Sequence, residues 1–416
     1  MRIIADLHIH SKYSRACSKE LTPENIDRWC QYKGINIVGT ADFTHPAWFK
    51  ELSDSLEEAE PGLYRLKNSD SPVRFMVTTE ISCIYTQSDK CRRLHICLFV
   101  PSLETAEKIN KDFIKRDFNI KSDGRPIIGM SAKDLAQTIL EIDDQNLIIP
   151  AHAWTPWFAI FGSKSGFDSI AECFEELSPH IRAIETGLSS DPFMNWHLSK
   201  LDNITLISNS DAHSPANLGR EANVFDLEMA KLSYNEIADA IKTKNRKKIS
   251  YTIEFFPAEG KYHFDGHSNC KHVSHPDDSK KNHNLCPICK KEMTLGVYHR
   301  VSDLADRNQD QINQADHIPY KSIIPLQEII ANTFGVGKQS KKVQAEYFNL
   351  VKKYPEFEIL IDLTENDLAK ITSPEIATKV INMREGKVKI EPGYDGIYGK
   401  ISINNNYQKP KQKSLF

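Results

Sequence analysis

The chain has 416 residues, 53 Lys and Arg against 56 Asp and Glu, and a formal net charge of −3. This is the balance of a globular protein, long enough for two or three domains. No apolar run approaches the ~18 residues that span a bilayer, a secretory signal pattern is missing, and the nine cysteines are not spaced as a disulfide framework. A cytoplasmic protein with no membrane partner is therefore expected.

In chain order, Ile3-Ile4-Ala5-Asp6-Leu7-His8-Ile9-His10 predicts a strand whose two histidines share a face. Thr22-Pro23 predicts a capped helix start. Further apolar runs end in ionisable residues: Ile35 to Ala41 before Asp42, Phe75 to Thr79 before Glu80, Arg93-Leu94 before His95, Leu147 to Ala151 before His152, and Leu206 to Ser210 before Asp211-Ala212-His213. Between them lie helical stretches, one opened by Ser131 in a near capping box. This alternation predicts an α/β barrel or doubly wound sheet over residues 1–255, and such folds build sites at strand C-termini. Residues 256–310 are polar and rich in His and Cys. Residues 320–416 return to helical periodicity at Leu326, Ile329, Ile330 and Phe334 and end in a loose, Lys-rich tail from Asn404. Residues 1–241 carry 25 Lys and Arg against 35 Asp and Glu, whereas residues 242–416 carry 28 against 21. The acidic half suits divalent cations and the basic half a polyanion.

The strand-end residues suggest metal chemistry. Mixed His and carboxylate donors suit Zn²⁺, Mn²⁺ or Fe²⁺ better than purely oxygen-seeking ions. His8, His10, Asp42, Glu80, His95, His152, Asp211 and His213 exceed the needs of one tetrahedral ion, and Glu80 and Asp211 could each bridge two. A multinuclear centre suits phosphoester hydrolysis with no side-chain nucleophile. Separately, His267-x2-Cys270 and Cys286-x2-Cys289 form two chelating pairs for a structural zinc, with His263, His272 and His283 competing for the imidazole place. Trp154, Trp157 and Phe158 fit either the wall of a base pocket or ordinary loop packing. Trp48 and Phe49 are open to the same two readings. Phe334-Gly335-Val336-Gly337-Lys338 reads as a helix–helix turn or as the Gly-x-Gly hairpin of helix-hairpin-helix modules, with Lys338, Lys341 and Lys342 as phosphate contacts. The remaining cysteines read as core or loop thiols, and His180 and His197 as surface residues.

His8-x-His10, Glu80 then His95, His152, and Asp211-x-His213 resemble the motifs of the polymerase and histidinol phosphatase (PHP) metallo-phosphoesterase superfamily. The resemblance implies a distorted (β/α)7 barrel with up to three metals. It places His8, His10, Glu80 and Asp211, which would carry the catalysis, on one ion and Glu80, His95 and His152 on a second. His213 would help hold a third. Two positions depart from the pattern: Ala16 stands where a further ligand is common, and Phe43 stands where Thr40-Ala41-Asp42-Phe43 would carry a His. Asp42, at the strand end, is preferred over His45 as the substitute.

More specific segments are similar to endonuclease Q. They are Gly39 to Pro46, Pro150 to Phe158, Glu185 to Pro192 and Leu206 to Pro215, then Gly260 to His267, Cys286 to Cys289, His299 to Arg307 and Glu391 to Gly396. This resemblance covers almost the whole chain. It implies a repair endonuclease that cuts double-stranded DNA on the 5′ side of deaminated bases (uracil, hypoxanthine, xanthine) or abasic sites, leaving a 3′-hydroxyl and a 5′-phosphate. Zn²⁺ is expected in the Cys segment and the barrel cluster, with Mg²⁺ or Mn²⁺ for activity. Repair or replication factors are further expected partners, with the nucleoid as the working location. The competing expectation is a PHP-type phosphoesterase acting on a small phosphorylated metabolite.

Overall fold

A computed structural model describes residues 1–403; the expected loose tail from Asn404 lies outside them. β1 (Arg2–Asp6) is buried from its second residue on. It pairs in parallel with β2 (Ile37–Gly39), which pairs in parallel with β5 (Arg74–Gln87). β3 (Leu56–Glu60) and β4 (Leu63–Leu66) extend the β5 side as an antiparallel edge. β5 and β6 (Lys90–Val100) form a long antiparallel hairpin from Val77↔Val100 to Gln87↔Lys90. Its turn residues Ser88 and Asp89 both have positive φ, the geometry that matches strand twist in a tight hairpin. β7 (Ile127–Ile128) adds to β5, and β8 (Leu147–Pro150) lies antiparallel to β6.

Main-chain bonds continue the circuit. Ala153 N donates to Glu185 O beyond β8, and β9 (Ala183–Glu185) pairs in parallel with β10 (Thr205–Ile207). Asp211 N donates to His8 O at 2.9 Å and His10 N to Ala212 O at 3.1 Å, which returns the path to β1. Strand ends thus face one another across a common mouth. On the other side of β1 lie β11 (Ala222–Asp226) and β12 (Ile249–Phe255). The architecture is mixed α/β with a central sheet; among the described residues that sheet has eleven strands.

Helix signals read from sequence work as their chemistry requires. Thr22 caps Pro23–Lys33, which ends at left-handed Gly34, and Ser131 caps Ala132–Ile142. Residues 256–310 contain the short hairpin β13 (Asp265–His267) and β14 (His272–Ser274) and the helix Val297–Leu304. The stretch from 320 opens not on a helix but on β15 (Tyr320–Ile323), which pairs in parallel with β12. Helices Leu326–Phe334, Lys341–Val351 and Pro374–Arg384 follow, then the hairpin β16 (Val388–Glu391) and β17 (Lys400–Ile403). This part sits on the first helix through the buried pair Lys33–Glu356, 2.7 Å apart, and the stacked rings of Trp29 and Tyr347. No described helix is long and apolar enough to cross a membrane.

Candidate metal centre

His8 and His10 lie just past β1, both buried, with ring centroids 5.4 Å apart. Asp211, just past β10, brings Oδ1 to 3.0 Å from His10 Nε2 and 3.9 Å from His8 Nε2. All three atoms are buried with no hydrogen-bond partner. Such orphaned polar atoms are costly unless something completes them, and two imidazoles with a carboxylate are what a transition-metal cation takes. A second set meets beside the first. Glu80 Oε1 in β5 lies 2.8 Å from His95 Nδ1 in β6 and 3.2 Å from His152 Nε2 beyond β8. The two imidazole nitrogens are 3.1 Å apart. Glu80 Oε2 lies 3.4 Å from His10 Nε2 and 3.7 Å from His8 Nε2, so one carboxylate spans both sets. The donors present therefore fit bound metal.

Burial works against charge on Glu80, yet His95, Arg125 and His8 hold its carboxyl well below the usual range. Burial is likewise overcome at Asp211, chiefly by His10. Burial pushes His95 down to about 4, against the pull of Glu80. The backbone is strained here too: Asp42, His152 and Asp211 are non-glycine residues with positive φ, a state held only where surroundings dictate it. Gly187 makes room for one of them, since a Cβ there would lie 2.7 Å from His152 Cβ.

Six of the eight expected ligands meet in these two sets. Asp42 and His213 stand beside them. Asp42 faces His10 Nδ1 at 3.2 Å and accepts from Ser11 N and the Ser14 hydroxyl, so it orients His10 rather than pointing a free oxygen at the centre. His213 Nδ1 bonds its own strand-end neighbour, Asp211 O. His45 caps the helix Pro46–Ser55. Two residues were missed. Glu185, at the end of β9, lies 2.9 Å from His8 Nδ1 and accepts from His152 N and Asn209 Nδ2. It thereby turns His8 Nε2 to the centre. The strand-end pattern that flags the others also fits Ala183-Ile184-Glu185. Arg125, whose Nη1 donates to Glu80 Oε2, sits in a loop with no such signal.

The centre opens into a cavity of about 730 Å³ whose walls include Trp157, Phe158, Tyr262 and Tyr398. Trp154 departs from the expectation of a pocket wall: it is buried, packs on Phe161 and donates its indole N–H to Asn195. His197 also departs, being fully buried with Nδ1 on Arg307 O rather than at the surface. Trp48 is buried core. A neighbouring cavity of about 970 Å³ shares Asn217, Arg220 and Tyr398 with the first and reaches the Gly335–Lys338 loop. There Lys338 pairs with Glu328, Lys342 covers the Phe334 ring, and Lys341 opens the following helix. In a separate set, His267, Cys270, Cys286 and Cys289 bring one donor atom each within 4.8 Å of one another. Among the described residues His263, His272 and His283 join no such set; His263 instead faces Ser189 O.

Fold and donor sets together define an α/β protein with residue clusters that could hold metal. The chain belongs to the endonuclease Q family. It is 32% identical to the lesion-specific endonuclease PfuEndoQ of Pyrococcus furiosus, whose crystal structure superposes with a TM-score of 0.85 over 99% of this chain and 98% of that one. The crystal structure of Endonuclease Q with a 27-mer duplex substrate carrying an abasic lesion at its active site matches with a TM-score of 0.86 and 33% identity, over 99% of both chains. The uncharacterized protein YqxK of Bacillus subtilis is 29% identical over 96% of this chain and 99% of its own length. The uncharacterized protein MJ0043 of Methanocaldococcus jannaschii is 34% identical over 64% of this chain, which covers 34% of that longer protein. A family model described as the MJ0043 C-terminal domain matches residues 325–387.

Proposed function

We propose that this protein is a metal-dependent DNA repair endonuclease that cuts the phosphodiester 5′ to a deaminated base or an abasic site. The observation that carries this reading is the pair of donor sets at the mouth of a cavity, in a fold matching the lesion-specific endonuclease along its whole length. His8, His10 and Asp211 would hold one ion and Glu80, His95 and His152 another, with Glu80 between them. When bound, such ions activate water and offset phosphate charge. Glu185 and Asp42 fix the two β1 imidazoles so that each turns Nε2 inward. In the reaction the oxygen of water bonds to phosphorus and the P–O3′ bond breaks. The proton passes to the 3′-oxygen, leaving a 3′-hydroxyl and a 5′-phosphate. Trp157 and Phe158 offer flat walls for an extruded nucleotide.

The circuit of strands is read as a distorted seven-stranded barrel spanning residues 1–255. The Cys segment, 256–310, is read as a zinc-stapled unit, and 320–416 as a C-terminal domain that touches DNA through Lys338, Lys341 and Lys342. The deciding experiment incubates the protein and end-labelled duplexes containing uracil, hypoxanthine, an abasic site or no lesion with Mg²⁺ or Mn²⁺, then with chelator. Lesion-dependent, chelator-sensitive nicking that Asp211→Asn abolishes is expected. Nicking of undamaged duplex at the same rate, or turnover of a phosphomonoester alone, would overturn the reading. Neutralising Lys341 and Lys342 together is expected to weaken binding and reduce the slope of log affinity against log salt by about 1 to 2.

A further inference from the structure

Arg125 lies outside every motif legible in the sequence. Its Nη1 donates at 3.1 Å to Glu80 Oε2, the oxygen that faces His8 and His10. The side chain is 23% exposed and lines the catalytic cavity together with His95, His152 and Asp211. A guanidinium has five N–H donors in a planar fork. The bond described to Glu80 occupies one end of that fork.

The loop that carries Arg125 is locked on three sides. Gly124 N donates to Tyr13 O, and Gly124 O accepts from the Thr44 hydroxyl. Asp123 accepts from the main-chain N of both Arg15 and Arg125. Ser82 N donates to Pro126 O, where the loop enters β7. A Cβ on Gly124 would lie 2.3 Å from Asp42 Oδ2 and 2.4 Å from Ser14 Oγ, so glycine lets this loop press against the centre. Glu80 has two imidazoles on Oε1 already. A rigidly presented, largely desolvated guanidinium beside them is more than one carboxylate requires, and it is what an anionic substrate does require.

We propose that Arg125 is a further catalytic residue: it donates to a non-bridging oxygen of the scissile phosphodiester while its Nη1 retains Glu80. The proposal rests on the endonuclease reading. As the water oxygen bonds to phosphorus and the P–O3′ bond breaks, negative charge is spread over the non-bridging oxygens, and a donor already in place stabilises it without rearrangement. Arg125 forms and breaks no covalent bond.

The test compares wild type, Arg125→Ala and Arg125→Lys in single-turnover cutting of a uracil duplex. Metal content per chain is measured on the same preparations. The two phosphorothioate diastereomers at the scissile position are cut alongside the oxygen substrate. Arg125→Ala is expected to slow cutting about 100- to 1,000-fold, with wild-type metal content, and Arg125→Lys to recover part of that loss. One diastereomer is expected to be disfavoured by wild type and no longer disfavoured by Arg125→Ala. Wild-type cutting by Arg125→Ala would overturn the proposal alone. So would an unchanged diastereomer ratio, or a slower rate matched by metal loss, which would make Arg125 a positioning residue acting through Glu80. If the wild type cuts no lesion duplex, the endonuclease reading fails and this proposal falls with it.

Discussion

At the residue scale, carboxylates outside the two donor sets at the mouth carry much of the design. Glu185 accepts at once from His8, His152 and Asn209, so it holds a tautomer, a main-chain turn and a neighbouring amide together. Glu185→Gln is expected to leave the fold intact and weaken metal affinity about 10- to 100-fold, measured by titration of the metal-free protein. Glu254 shows the opposite use of burial. It is fully buried beside the buried Glu221 and takes hydroxyl bonds from Thr186, Ser208 and Thr252. Burial raises its carboxyl to about 7. A raised acid contributes stability that is full below its unfolded value, near 4.5, and is lost as pH rises through about 7. The melting temperature is therefore expected to fall between about pH 5 and about pH 8, and to fall less in Glu254→Gln; equal slopes would reject the assignment.

At the scale of elements, the helix Pro23–Lys33 joins the sheet to the C-terminal helices. Glu356 binds Lys33, the Tyr347 hydroxyl and Leu326 N, all buried. Glu356→Ala would strand the Lys33 ammonium and is expected to cost about 3 to 5 kcal/mol, read by denaturant unfolding. What the sequence discloses follows range. Strands β1, β2, β8 and β10 were legible because an apolar run and a terminal ligand are local facts. Helix starts at Thr22, Ser131 and Leu326 were legible for the same reason. β5 and β6, by contrast, run on past Glu80 and His95, which sit mid-strand instead of at an end. His197 was misjudged, and the two readings of Trp154 could not be separated, because their partners, Arg307 and Asn195, lie far along the chain. Arg125 was invisible for a related reason: its place is set by contacts to Tyr13, Thr44 and Glu80. Asp42 was seen at its strand end, but its use on His10 Nδ1 depends on the loop that brings Ser11 and Ser14 over it.

At the scale of the whole molecule, the Cys segment is tied to itself and to the loop between β16 and β17. Gly266 N and Thr294 N exchange main-chain bonds with each other's carbonyls, and Asp395, near the C-terminus, accepts from Ser268 N and the Thr294 hydroxyl. Losing a metal held by its four donors is therefore expected to reach beyond it. Cys286→Ser should lower the zinc content by about one ion per chain and should speed proteolysis within 256–310. Unchanged zinc and an unchanged digest would dismiss the staple. The acidic half of the chain holds the centre, and the basic half supplies Lys338 and Lys400 to the neighbouring cavity, so the charge asymmetry of the sequence has a spatial counterpart.

β15 gives this arrangement a temporal side. The outer edge of β12 is covered by a strand that begins only at Tyr320. A chain growing from its N-terminus therefore carries that edge bare while the polar Cys segment is still being made. A bare edge is a template for any other unfinished strand nearby. The time needed to make residues 256–323 is therefore the least time each new molecule spends with that edge uncovered.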